Sequence, residues 1–176
     1  EKKNPTNKFN NPEYLKNMYQ SLHDMNKTSK EIFESIDKKI TKILNEKILN
    51  FYKSENYRLV IKNMWFTVAR NNASMHKHNH LSADISGVLY IKTKNLENSG
   101  KLILYNPEKN FQIYEYNKMD EFDKKEHKDK IFIFKPNKGD LIIFDSYVIH
   151  SVNSEDLITD ERISIPFDAI FAEKHN

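Results

Sequence analysis

The chain has 176 residues, a length that suits one domain able to bury a core without disulfide or metal support. Its 28 basic and 25 acidic side chains leave a net charge of only +3, which argues against a dedicated nucleic-acid binder with a crowded basic face. Cysteine is absent, so disulfides, thiolate metal sites and a cysteine nucleophile are excluded. No apolar run is long enough to span a membrane, so we expect no membrane partner and a cytoplasmic location.

Helical patterns occupy the first third of the chain. Proline is favoured in the first turn of a helix, so Pro12 could begin one. This helix would present Leu15, Met18, Tyr19 and Leu22 at helical spacing.

A second helix is predicted from a capping box and one apolar stripe. Thr28 and Glu31 are spaced so that a hydroxyl and a carboxylate can satisfy the exposed backbone donors at a helix start. Behind them, apolar residues recur every three or four positions: Ile32, Phe33, Ile36, Ile40, Ile43, Leu44, Ile48 and Phe51. This stripe favours a helix that backs a sheet over one that binds a partner.

From residue 57 onward, the pattern shortens to strands rich in Val, Ile, Phe and Tyr. The candidates are residues 57–70, 85–93, 102–105, 111–116, 131–135, 140–144, 147–152 and 163–171. Strands after helices predict a mainly β fold, a sandwich or barrel of the jelly-roll kind with the N-terminal helices packed on one sheet. We expect a single domain over 1–176, with a helical region at 1–56 and a β core at 57–172.

Two segments between the strands have distinct compositions. Residues 136–140 contain Pro136 and Gly139 and predict a turn into an apolar strand. Residues 118–130 are mixed in charge, which indicates either a solvated loop or a lid over a site.

Three of the seven histidines, His76, His78 and His80, lie within five residues of one another. Side chains at i and i+2 of a strand share a face, so His78 and His80 could offer imidazole nitrogens to one metal ion. Imidazole suits iron, zinc, nickel and copper, so the residue type does not choose the metal. The pair taken alone also fits a polar surface loop. A further histidine that could join this pair, His150, lies at the end of a later apolar strand.

Arginine is scarce in this chain, with only Arg58, Arg70 and Arg162 among the 28 basic residues. Only arginine offers a planar fork to a carboxylate, so a retained arginine can have a role that lysine cannot fill, although an ordinary salt bridge is the alternative. Arg162 and Ser164 are i and i+2 on the last predicted strand and share a face. A guanidinium fork beside a hydroxyl is what a buried carboxylate needs.

At these residues, the chain resembles the iron- and 2-oxoglutarate-dependent oxygenases, in the branch with an H-x-H…S-G-x-x-Y signature. The matching segments are His78-Asn-His80, Ser86-Gly87-Val-Leu-Tyr90, Pro136-x-x-Gly139-Asp-Leu-Ile-Ile-Phe144, His150-x-Val152 and Arg162-Ile-Ser164, with Trp65 as the upstream aromatic residue. The likeness spans residues 65–167. The family fold is a double-stranded β-helix, which agrees with the jelly-roll expectation.

The resemblance implies a role for each matching residue. His78, His80 and His150 would hold Fe(II), and Arg162 with Ser164 would bind the distal carboxylate of 2-oxoglutarate. The implied enzyme is a dioxygenase that uses Fe(II), 2-oxoglutarate and O2. It would convert 2-oxoglutarate to succinate while it hydroxylates a C–H bond of a protein side chain or a small molecule.

Two residues near these motifs keep more than one interpretation. Tyr90 would add its hydroxyl to the same 2-oxoglutarate carboxylate, or it packs in the barrel with its hydroxyl satisfied elsewhere. His76 shares strand parity with His78 and His80, but the family pattern begins at His78, so His76 is left outside the metal set. Residues 74–83 and 118–130 are where we expect substrate specificity to reside.

One position departs from the wider superfamily, in which two histidines and one carboxylate hold the metal. Here His80 stands where the carboxylate is expected, which would make the iron site one charge more positive. Asp84 could supply a carboxylate instead if the strand bends after His80.

A cupin-type metal-dependent dioxygenase, or a cupin-like metal-binding protein without 2-oxoglutarate, is the alternative function. His78, His80 and Asp84, with His150 later, loosely match the two cupin motifs. The discriminator is Arg162, because a cupin needs no such arginine. A metal-free jelly-roll binding module is a third possibility, and it would leave the histidines without a purpose.

Overall fold

The computed structural model describes residues 15–52, 55–93, 100–105, 131–153 and 161–174. The strands in these ranges are β1 Leu15–Gln20, β2 Tyr57–Met64, β3 Thr67–His78, β4 Ile85–Lys92, β5 Lys101–Tyr105, β6 Ile131–Phe134, β7 Leu141–Asp145, β8 His150–Asn153 and β9 Arg162–Glu173. The helices are α1 Met25–Thr28, α2 Lys30–Ile43 and α3 Leu49–Phe51, with a π-helical turn Leu44–Ile48 before α3. No described helix is long and apolar enough to cross a membrane.

Antiparallel pairing joins the strands in the order β6-β5-β8-β3-β9-β4-β7, with β1 beside β3 and β2 beside β9. The long strand β3 contributes to two layers, because residues 67–69 pair with β9 whereas Met75 and His78 pair with β8. One layer contains β2, β9, β4 and β7, and the other contains β1, β3, β8, β5 and β6. This arrangement confirms the predicted jelly-roll, double-stranded β-helix fold.

The helices cover the outer face of the β2–β9–β4–β7 layer. Phe33, Ile40, Leu44 and Leu49 are buried in one cluster with residues of the sheet. The sheet residues in that cluster are Leu59, Met64, Ile85, Ile165, Phe167 and Ala169. Each fully buried large apolar side chain stabilises the fold by about 1.5–3 kcal/mol. The predicted helix-on-sheet packing is therefore confirmed.

Three members of the predicted stripe lie outside this core. Ile32, Ile43 and Phe51 are exposed, at 71%, 39% and 82%. The π-helical turn also interrupts the helix. Within this turn, the Asn45 side chain lies against β2. Its amide donates to the Leu59 carbonyl and its carbonyl oxygen accepts from the Leu59 N–H, at 2.8 and 3.0 Å. These two bonds fix the helical layer on the edge of β2.

The predicted first helix is wrong, because Leu15–Gln20 is strand β1. This segment hydrogen-bonds to β3, with Leu15 opposite Met75 and Gln20 opposite Thr67. Met18 and Gln20 line a pocket between the two layers. The spacing of apolar residues fitted a helix, but pairing with an open strand edge satisfies the same backbone groups and overrides local propensity. Pro12 lies outside the described residues.

The predicted capping box is also wrong. Ser29, not Thr28, occupies the N-cap of α2, and its side chain makes no capping hydrogen bond. Thr28 belongs to the preceding turn α1, where its hydroxyl donates to the Asp24 carbonyl at 3.2 Å. A capping box requires an extended backbone before the helix, but here the short helix α1 occupies those residues.

The predicted strands agree with the structure except at two boundaries. Residues 57–70 form two strands, β2 and β3, separated by Trp65 and Phe66, and β3 continues to His78. Residues 147–152 begin with a turn, closed by a hydrogen bond from the Val148 N–H to the Asp145 carbonyl, so β8 starts only at His150. The predicted strand 111–116 and the predicted loop 118–130 lie outside the described residues.

The predicted turn at 136–140 is present. Gly139 has a φ of +93°, which glycine adopts without strain. The Asp140 side chain accepts a hydrogen bond from the Asn137 N–H at 2.7 Å, and the Gly139 N–H bonds to the Tyr90 carbonyl at 2.8 Å. The turn thus fixes the start of β7 beside the end of β4.

We predict that Gly87→Ala destabilises the fold. A Cβ at Gly87 would lie 2.4 Å from the Phe167 ring and 2.8 Å from the Ile142 carbonyl oxygen. Such overpacking costs about 1–3 kcal/mol, measurable as a lower urea midpoint. In a double-mutant cycle, Phe167→Leu should recover part of that loss. Purely additive effects would show that the ring contact is not its cause.

Candidate metal and cosubstrate site

The fold brings together three histidines that are distant in sequence. His78 ends β3 and His150 begins β8, and the two are paired directly across the strands. His80 follows two residues after β3, where its N–H bonds to the Ser146 carbonyl at 2.9 Å. One ring nitrogen from each of the three lies within 4.8 Å of the other two. Three nitrogens at this separation can converge on a single metal ion.

The hydrogen bonds of the three rings select the same tautomer. Nδ1 of His78 lies 2.9 Å from the His76 carbonyl, and Nδ1 of His150 lies 3.0 Å from the Val148 carbonyl. Nδ1 of His80 lies 3.1 and 3.2 Å from the two carboxylate oxygens of Asp168. Because these oxygens accept, each Nδ1 carries the proton and the lone pair is on Nε2. This is the arrangement by which partners orient metal-binding histidines.

Burial keeps two of the rings neutral. It lowers the pKa of His78 to about 3, with a further contribution from neighbouring histidines. It also lowers the pKa of His150 to about 4. A metal ligand must be deprotonated at its donor nitrogen, so these imidazoles are ready to bind without first losing a proton.

Asp168 is a buried carboxylate behind His80 and was not among the residues predicted from the sequence. Its side chain is 4% exposed and accepts a hydrogen bond from the Ser86 hydroxyl at 2.7 Å. Asp168 lies on β9 with the same parity as Arg162 and Ser164, so strand alternation could have identified it.

The remaining sequence candidates for the metal lie elsewhere. Asp84 is exposed, and its carboxylate accepts a hydrogen bond from the Phe171 N–H at 2.9 Å. Within the described ranges, the group of clustered ligand atoms contains the three histidines and not Asp84. His76 is exposed on β3 and contributes its carbonyl to His78.

The histidines line a pocket of about 430 Å³ between the two layers. The same pocket is lined by Arg162, Ser164 and Tyr90, the residues predicted to bind 2-oxoglutarate. Much of the remaining wall is apolar: Met18, Trp65, Met75, Val88, Leu102, Phe144, Val152, Pro166 and Phe167. The fold thus places the predicted metal ligands and the predicted carboxylate anchor in one cavity.

Arg162 is a buried cation in this cavity, at 7% exposure. Its Nη1 donates to the Gly100 carbonyl at 2.5 Å, while its Nε is buried and has no hydrogen-bond partner among the described residues. No carboxylate pairs with it in the ranges that the structure describes. Gly100 has a φ of +55°, and a Cβ there would lie 1.8 Å from Nη1, so only glycine allows this approach. Burial lowers the pKa of Arg162.

A row of hydroxyl groups crosses three neighbouring strands beside Arg162. Ser164 on β9 is paired with Thr67 on β3 and with Tyr90 on β4. All three side chains are buried, at 5%, 3% and 2%. The Thr67 hydroxyl has no hydrogen-bond partner among the described contacts. Burial raises the pKa of Tyr90 to about 12, which the nearby Arg162 opposes, so Tyr90 stays protonated and can donate.

Aromatic stacking supports the histidine side of the pocket. The Trp65 ring stacks on His80 at 5.9 Å and on His23 at 4.3 Å between ring centroids. His23 also lines the pocket, and burial lowers its pKa. His23 and Thr67 were not predicted from the sequence, because only the strand register and the path of the chain bring them to the pocket.

Comparison with solved structures shows the same fold. HygX from Streptomyces hygroscopicus, solved with nickel and 2-oxoglutarate bound, is 8% identical with a TM-score of 0.60, over 88% of this chain and 70% of HygX. A Pseudomonas putida prolyl-4-hydroxylase is 14% identical with a TM-score of 0.50, over 90% and 72%. A 2OG-Fe(II) oxygenase family oxidoreductase from Burkholderia pseudomallei is 12% identical with a TM-score of 0.52, over 79% of this chain and 56% of that chain.

Sequence comparison gives the family. None of the curated proteins matches the sequence. Residues 63–168 match the family described as "Putative 2OG-Fe(II) oxygenase". The matched region contains the three clustered histidines, Tyr90, Arg162 and Ser164. The chain therefore belongs to the 2OG-Fe(II) oxygenase family.

Proposed function

We propose that this protein is an Fe(II)- and 2-oxoglutarate-dependent dioxygenase that hydroxylates a C–H bond of its substrate. His78, His80 and His150 hold the iron, and Arg162 binds the distal carboxylate of 2-oxoglutarate. The observation that carries this proposal is the buried guanidinium of Arg162 in the same pocket as the three histidines.

The energetics of Arg162 favour an anionic ligand. A buried charge without a counter-charge costs several kcal/mol, on the order of 3–5 kcal/mol where one partner of a buried pair is missing. The carbonyl of Gly100 satisfies one donor of Arg162 but supplies no negative charge. A carboxylate would pair with the remaining donors of the fork, and the hydroxyl groups of Ser164, Thr67 and Tyr90 on the paired strands would add contacts.

The three imidazoles fit iron. Neutral imidazole nitrogens are suitable ligands for Fe(II), and Nδ1 hydrogen bonds hold each ring with its lone pair on Nε2. When bound, iron and 2-oxoglutarate supply the activation of dioxygen, with conversion of 2-oxoglutarate to succinate and CO2.

The rest of the pocket orients the substrate and excludes water. Met18 and Met75 come from the β1–β3 side, and Leu102, Phe144 and Val152 complete an apolar wall. Such a wall accepts an uncharged part of a protein side chain or of a small molecule. It also keeps water away from the reacting atoms.

A cupin-type function without 2-oxoglutarate is less well supported. It would explain the three histidines and the jelly-roll fold. It gives no role to Arg162, which is buried with no carboxylate partner among the residues that the structure describes. The family match also favours the oxygenase.

We predict that His78→Ala, His80→Ala and His150→Ala each abolish the stabilisation of the fold by Fe(II). A metal that binds only the folded state, at 100 times its Kd, stabilises that state by about 2.7 kcal/mol. Anaerobic melting with and without Fe(II) measures this difference. The matched control is His76→Ala, an exposed histidine two residues from His78, which should keep the full metal effect.

The metal assignment would be contradicted by either of two results. One is a full Fe(II) shift in His80→Ala, together with a lost shift in Asp84→Asn, which would transfer the third ligand to Asp84. The other is an equal loss in His76→Ala, which would indicate a general effect of histidine removal.

We predict that Arg162→Ala weakens 2-oxoglutarate binding by roughly two to three and a half decades. This follows from a loss on the order of 3–5 kcal/mol for a broken buried pair. Arg162→Lys should also bind poorly, because an ammonium lacks the two-pronged geometry. Calorimetric titration of 2-oxoglutarate into the metal-loaded protein measures both variants, and their metal affinity should be nearly unchanged.

The chain offers a matched control for this experiment. Arg70 is an exposed arginine on β3, paired with Glu161 at 2.8 Å. Arg70→Ala should bind 2-oxoglutarate as the wild type does, because exposed ion pairs contribute little. If Arg162→Ala also binds like the wild type, the 2-oxoglutarate site is elsewhere and the cupin-type function gains support.

We also predict that Thr67→Val weakens 2-oxoglutarate binding by a smaller amount than Arg162→Ala does. Valine has the same shape as threonine but lacks the hydroxyl. The loss should be about 1 kcal/mol, the net value of a typical hydrogen bond, or roughly fivefold in Kd. The same titration measures it, and unchanged affinity would show that Thr67 does not contact the ligand.

A further inference from the structure

We propose that Asp168 is the carboxylate of the metal centre, acting through His80 rather than on the metal itself. This inference rests on the proposed metal site. In this site, Asp168 is a positioning residue. It fixes the tautomer and angle of the His80 ring, and its negative charge makes His80 the strongest electron donor of the three ligands.

The three histidines differ in what their Nδ1 atoms contact. His78 and His150 donate to the neutral backbone carbonyls of His76 and Val148. Among the hydrogen bonds between described residues, His80 is the one that donates to a carboxylate, with both oxygens of Asp168 within 3.2 Å of Nδ1. A hydrogen bond to an ionised acceptor is roughly twice as strong as one to a neutral acceptor. The Nδ1 hydrogen bond of His80 is therefore expected to be stronger than those of His78 and His150.

The surroundings of Asp168 show that its carboxylate is held for this contact. It is 4% exposed, on a strand between two neighbours, and its other described partner is the neutral Ser86 hydroxyl at 2.7 Å. Ser86 stands directly opposite Asp168 on β4 and so directs the carboxylate towards His80. A buried charge needs a compensating charge nearby, and a metal on Nε2 of His80 would supply it.

The charge balance of the site supports the same role. Three neutral imidazoles leave the two positive charges of Fe(II) uncompensated. The two charges of 2-oxoglutarate offset them, but the buried Arg162 adds one positive charge to the pocket. The carboxylate of Asp168 restores neutrality. Partners of this kind change metal affinity by about 10–100-fold when they are removed.

Two substitutions separate the charge of Asp168 from its geometry. Asp168→Asn keeps the shape and an oxygen that can accept the Nδ1 proton of His80, but it removes the charge. Asp168→Ala removes both the charge and the acceptor. Ser86→Ala leaves the carboxylate in place and removes only the hydroxyl that orients it. His80→Ala removes the ligand itself and sets the lower limit of affinity.

The experiment is a titration of each metal-free variant with Co(II) alone, followed by visible absorption. We expect Asp168→Asn to bind Co(II) about 10-fold more weakly than the wild type, and Asp168→Ala up to about 100-fold more weakly. Ser86→Ala should lose less than Asp168→Asn. The melting temperature of each metal-free protein controls for a merely structural role, which would lower that temperature without changing Co(II) affinity or the absorption bands.

A second measurement uses the wild-type protein, so it does not depend on whether a variant folds. In the Zn(II)-loaded protein, the Nδ1 proton of His80 should resonate further downfield than those of His78 and His150, because its acceptor is a carboxylate whereas theirs are backbone carbonyls.

The outcomes are distinct. Wild-type Co(II) affinity in Asp168→Asn, or a His80 proton that resembles the other two, would overturn the role of Asp168. If the wild type binds Co(II) no better than His80→Ala does, the proposed metal site itself fails.

Discussion

The constraint on which the site depends is the alternation of side chains along β9. This strand has neighbours on both edges, with β4 on one side and β3 followed by β2 on the other. One face of it places Ile165, Phe167 and Ala169 in the core under the helices, and Phe167 also lines the pocket. Its other face presents Arg162 and Ser164 to the pocket, and Asp168 to His80. Because the period of a strand is two, a shift of one residue would exchange the core with the site.

Pro166 marks the point on β9 where its neighbour changes from β3 to β2. A proline within a sheet cannot donate to the ladder, so it needs a position where no acceptor faces it. Here the ladder is interrupted by Trp65 and Phe66 between β2 and β3, and the Trp65 N–H bonds to the Pro166 carbonyl at 3.1 Å. The Trp65 ring stacks on His80. The break in the sheet thus lies next to the histidines of the pocket.

The sequence predicted the fold class, most strand positions and the residues that meet in the pocket, because each rests on a local period or a short motif. It failed at β1, where Leu15 and Met18 have helical spacing but pair with the edge of β3. It could not find Thr67, which joins Ser164 only through the register of two strands 97 positions apart. Asp168 could have been predicted, since it lies on the same face of β9 as Arg162.

The pocket combines two opposite electrostatic features. Burial keeps His78 and His150 neutral, so their lone pairs meet without charge repulsion. Arg162, which lines the same pocket, remains a cation despite its burial, because a guanidinium does not give up its proton in proteins. In the proposed function, the ligand would offer a metal-binding group to the histidines and an anion to Arg162. A 2-oxo dicarboxylate meets both demands in one molecule, whereas a ligand with a single carboxylate meets only one of them.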